Sequence, residues 1–111
     1  MVIIQFQNGA DWYKANWVFR QLAEDTVTAF PHDHALRTTL EKAAAFGALF
    51  LDSMEAGAAA STMAALKCVA QRTIEGAIPG WKRSRPEDDD MQQMYLQAVT
   101  ELLDLLVKAG A

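Results

Sequence analysis

The chain has 111 residues and a formal net charge of −4, with 51% hydrophobic and 22% charged residues. That length allows one domain with its own core, and the composition lies far from that of disordered chains. The acidic balance disfavours phosphate backbones and anionic membrane surfaces as partners, and a single cysteine, Cys68, excludes a disulfide within the chain and suits a reducing compartment.

Residues 2–6, VIIQF, read as a short strand closed by the turn pair Asn8-Gly9. One strand of five residues needs a partner for its backbone donors. It either lies across the helices or pairs with a second copy or another protein's sheet edge. Asp11 is placed to cap a first helix over 11–30, whose inward face carries Trp12, Ala15, Phe19, Leu22, Ala23 and Phe30. A second helix over 33–56 is capped by Asp33 and carries Leu36, Leu40, Ala43, Gly47, Phe50, Leu51 and Met54 inward. Gly57 ends it and Ser61 caps the next, with a third helix set at 59–78. A single glycine in alanine-rich sequence costs a helix only about 1 kcal/mol, so one long helix through Gly57 is the alternative. Pro79-Gly80 opens a charged loop over 79–88, and the last helix spans 89–108 with Met91, Met94, Tyr95, Ala98, Leu102, Leu105 and Leu106 inward. The expected fold is therefore all-α, a single domain forming a small bundle of about four helices with a short N-terminal strand.

Three stretches invite a chemical reading. In FPHDHALR (30–37), the chain's only histidines, His32 and His34, flank Asp33. They stand two residues apart, so in a helix they diverge, and no second cysteine or third histidine completes a metal site. The stretch reads as a helix start capped by Asp33. Cys68 has Arg72 one turn away but no resolving cysteine, and reads as incidental. In WKRSRPEDDD (81–90), three cations are followed at once by four acids, too few charges for tight binding to nucleic acid and well placed for the start of the last helix. No catalytic residue, metal ligand or cofactor is assigned, and the chain reads as non-enzymatic.

Apolar residues exceed what one small core needs. On the last helix Leu96, Val99, Leu103 and Val107 form a second stripe, at spacings of three and four. The run AAAFGALFL (43–51) is apolar all round and sets Leu49 opposite the main stripe. These five residues are the expected seam of a homodimer. Tyr13 and Trp17, beside Arg20 on the charged flank of the first helix, are the expected anchors for a second protein. The N-terminus lacks the basic start and long apolar run of a signal peptide, and no window holds about 18 uninterrupted apolar residues, so a cytoplasmic protein off the membrane is expected.

In length, acidity, helix content and apolar faces the chain resembles the small all-helical bacterial anti-activators, which sequester a transcription regulator. The resemblance is one of profile, shared equally with immunity proteins and phage-encoded inhibitors, and it transfers no residue roles. It implies a dimeric inhibitor acting by protein–protein contact. The alternative expectation is a small-ligand sensor or enzyme with an apolar pocket between helices.

Overall fold

The computed structural model describes residues 1–76 and 89–111. The charged loop expected at 79–88, with its Trp81-to-Arg85 cluster, lies outside them. The Asn8-Gly9 turn makes a hairpin, not a strand leading to a helix. The Phe6 N–H donates to the Ala10 carbonyl at 2.9 Å, and the Asn8 side chain accepts from the Ala10 N–H at 3.1 Å. This sets β1 (Val2–Gln5) antiparallel to β2 (Asp11–Lys14), with Ile4 opposite Trp12 and Ile3 opposite Tyr13. Asp11 is thus a strand residue, not a helix cap. Trp and Tyr in alternation suit a pleated surface with one wet side.

The first helix, α1, begins only at Asn16 and runs to Ala29. Helix α2 (His34–Phe46) starts as the sequence indicates: the Leu36 N–H donates to the Asp33 carboxylate at 3.0 Å. It ends ten residues before the expected boundary of 56. Gly47 takes a left-handed conformation, φ +87°, that returns its N–H to the Ala43 carbonyl at 2.8 Å. Its own carbonyl accepts from the Ile3 N–H at 3.2 Å, so the helix end leads directly into the sheet. Ala48–Phe50 then forms β3, parallel to β1, giving a three-stranded mixed sheet in the order β2-β1-β3.

A 3-10 turn over Leu51–Ser53 leads to α3 (Ala56–Ile74). Gly57 opens this helix where the sequence reading ended one. The Glu55 carboxylate accepts from the Gly57 and Ala58 N–H groups at 2.9 and 3.0 Å, and a Cβ at position 57 would sit 3.1 Å from that carboxylate. Ser61 is therefore inside the helix, not its cap. Helix α4 spans Asp89–Lys108.

The four helices expected are present among the described residues, but the pure all-α class is not: the fold is mostly helical with a small mixed sheet. One core joins both parts, with Ile4, Phe6, Trp12, Phe19, Leu22, Leu40, Leu66, Tyr95, Leu102 and Leu106 essentially without solvent contact. The Trp12 indole N–H donates to the Ala98 carbonyl at 2.9 Å and Lys14 pairs with Glu101 at 2.6 Å, together fastening β2 to α4. No helix of the described residues is long and apolar enough to cross a membrane.

Candidate protein-interaction face

The sheet decides what is left over. Side chains alternate along a strand, and residues paired across strands share a face. Trp12, Ile4 and Leu49 form the inward row, all 3% exposed or less. One residue along, Tyr13, Ile3 and Ala48 form an outward row, and Asp11, Gln5 and Phe50 form the next. None of these six is buried, Ile3, Gln5 and Ala48 being partly exposed and Tyr13, Asp11 and Phe50 exposed. Tyr13 is 55% exposed and Phe50 37%. Phe46, the last residue of α2, is 76% exposed and meets Phe50 edge-on, ring centroids 6.1 Å apart. At the other margin, Tyr13 lines a groove of about 330 Å³ with Met1, Met94, Lys14 and Glu101. Apolar side chains therefore recur across the open side of the sheet, from Met94 on α4 to Phe46 on α2, with the Lys14–Glu101 pair at the Met94 margin.

The sequence-expected sites fall in different places. Of the three proposed anchors, Tyr13 lies on this strip. Trp17 is half-buried on α1, its ring 6.3 Å from that of Tyr95 and tilted by 33°. Arg20 is exposed beside a separate groove between α1 and α2, floored by Ala23, Val27, Leu40 and Ala44. The break after Lys14 separates residues that one long helix would have aligned. Of the expected dimer seam, Val99 is fully buried and Leu49 is 3% exposed on the inward row, so both are core residues, not interface residues. Leu96 is half-buried, Leu103 is half-buried against the core, and Val107 is 53% exposed. Of the second stripe of α4, Val99 is absorbed into the core, Leu103 packs against it, and Val107 stays open. Four of the exposed large apolar residues, Tyr13, Phe50, Phe46 and Met94, lie on the sheet or at its margins.

The FPHDHALR stretch is a helix start, with His32 and His34 both exposed and Asp33 engaged as cap. Among the described residues no three of His, Cys, Asp and Glu gather as a metal ion would need. Cys68 is partly exposed on α3.

One polar cluster was not foreseen. Asp25 on α1 is 6% exposed and accepts from the Gln21 amide at 3.0 Å and from the Tyr95 hydroxyl at 3.2 Å. Burial pushes its carboxyl above the usual range, the bonds from Gln21 and Tyr95 oppose this, and the nearby charge of Glu24 adds to it. The Tyr95 hydroxyl is likewise raised above the ordinary tyrosine value, first by burial and then by the Asp25 charge and hydrogen bond. The cluster ties α1 to α4 across the core. Its sequence signal is spacing: Asp25 stands three and seven residues after Leu22 and Val18, both buried on α1.

Comparison of the chain with protein-family models, curated proteins and solved structures finds no match.

Proposed function

We propose that this chain is a non-enzymatic protein–protein interaction module, and that its contact surface is the outward face of the β2-β1-β3 sheet. One observation carries the reading: Tyr13, Phe46 and Phe50 are exposed on the outward side of the sheet, with Ile3 and Ala48 partly exposed between them. Exposed apolar surface of this kind marks contact sites on soluble domains, and tyrosine and phenylalanine are the side chains enriched there. The buried polar side chains support the same reading. Asp25 and Tyr95 bond each other, and Thr26, Thr62 and Thr73 bond backbone carbonyls of their own helices. The finer role proposed is that of an inhibitor or anti-activator, which acts by occupying another protein's surface.

A photo-cross-linking residue in place of Tyr13, compared with the same residue in place of Val107 on the far flank of α4, tests this in the source cell. The reading expects protein adducts from position 13 and none specific to position 107. Absence of any protein adduct at 13, or the same adducts from both positions, would overturn it.

A further inference from the structure

We infer that a second copy of this chain occupies the outward sheet face; the inference rests on the interaction reading above and names the occupant. Two arguments lead there. The first is area: with Tyr13 at 55%, Phe46 at 76%, Phe50 at 37% and Met94 at 54% exposure, the strip offers on the order of 500 Å² per copy. Two such strips bury about 1,000 Å² in all, the lower bound for a specific interface and characteristic of one that forms and dissolves with concentration.

The second argument is charge and shape. The chain carries a net charge of −4, yet its two outward rows hold a single charge, Asp11 at a corner. Two copies that meet there keep their net negative charge outside the contact. A two-fold axis running along β1, between two stacked sheets, sets Tyr13 of each copy over Ala48 of the other and Ile3 over Ile3. Large lies over small, as interdigitating sheets about 10 Å apart require. The same axis leaves the two Asp11 carboxylates at opposite corners. Face-to-face stacking also asks nothing of the free edge of β3, which is only three residues long.

Sedimentation velocity tests the inference directly, over a range from about 5 µM to about 500 µM chosen for an interface of this size. The wild type should pass from its monomer mass of 12.2 kDa towards twice that value. Ile3→Lys, on the outward row, should weaken association at least about tenfold, since two buried ammonium groups would face each other across the axis. Tyr13→Glu, on a different strand, should do the same and serves if Ile3→Lys lowers helicity. Val107→Lys should change nothing. A chain monomeric throughout the range, or association indifferent to both face substitutions, would overturn the inference. If the chain is monomeric while a cross-linker at position 13 captures a different protein, the second copy fails and the interaction module stands. With no adduct at all, both fail.

Discussion

The segment 48–50 gives the sharpest test of the fold, because a strand and a helix there bury opposite residues. In the structure Leu49 is 3% exposed on the inward row beside Ile4, while Phe50 is 37% exposed on the outward face. A helix through this region would bury Phe50 in line with Ala43 and Gly47 and leave Leu49 outside. Truncating a fully buried leucine removes its transfer free energy and leaves a partly relaxed cavity, about 3 kcal/mol together. Phe50 loses its edge contact with Phe46 and some covered area, about 1 kcal/mol. For a urea slope of about 1.5 kcal/mol per molar, Leu49→Ala should lower the unfolding midpoint by about 2 M and Phe50→Ala by about 0.7 M. Equilibrium urea unfolding followed by far-ultraviolet circular dichroism, with the slopes compared, gives both numbers. A larger loss for Phe50→Ala than for Leu49→Ala would refute the strand and the outward face with it.

Three further outcomes follow from the same geometry. Val99→Glu should abolish folding, because it buries an unpaired charge at a fully enclosed site, whereas Val107→Glu should shift stability by no more than about 0.5 kcal/mol; comparable losses in thermal unfolding would contradict the assignment of Val99 to the core. Gly47→Ala should cost about 1–2 kcal/mol from the left-handed conformation alone, because an added Cβ finds only ordinary contact, 3.6 Å from the Met1 carbonyl oxygen; a neutral effect in urea unfolding would deny that conformation. Asp25 gives a pH dependence whose sign is fixed. Burial raises its pKa above the ordinary 3.8, so the folded chain holds the proton more tightly than the unfolded one. That contribution is complete below about pH 3.8 and is lost as pH rises through the elevated value. Asp25→Asn should therefore gain on the wild type as pH rises from acid to neutral, and a stability difference that stays constant with pH would show that Asp25 does not titrate as a buried group.

The legible parts of the chain are those where one residue makes one local bond. Asp33 reads as a cap because a short carboxylate three residues before a free N–H can do little else, and the structure places that bond at 3.0 Å. The core positions Phe19, Leu22, Leu36, Leu40 and Leu102 follow from helical spacing and are all buried. Trp12 is also buried as expected, although on a strand. The errors lie where local chemistry permits two answers. Asp11 after Asn8-Gly9 can cap a helix or continue a hairpin, and the choice falls to Ile4 opposite Trp12, a pairing that spans the turn. AAAFGALFL favours helix by composition, but the left-handed Gly47 hands its carbonyl to Ile3, 44 residues away in sequence. Two members of the expected dimer stripe, Val99 and Leu49, are buried for a related reason. Periodicity shows that Val99 shares a flank with Leu96 and Leu103, but not that Val99 alone of the three is fully enclosed. The sheet face was illegible because it is assembled from three segments, each carrying only one or two of its residues.

The central claim is that the outward sheet face, not the flank of α4, is where this chain meets its partner copy. Hydroxyl-radical footprinting of the wild type at about 5 µM and about 500 µM, the range used for sedimentation, reads this residue by residue. The account predicts that Tyr13 and Phe46 are reactive in the dilute sample and protected in the concentrated one, with Val107 unchanged. Protection of Leu103 and Val107 with Tyr13 unchanged would return the interface to α4 and contradict the account.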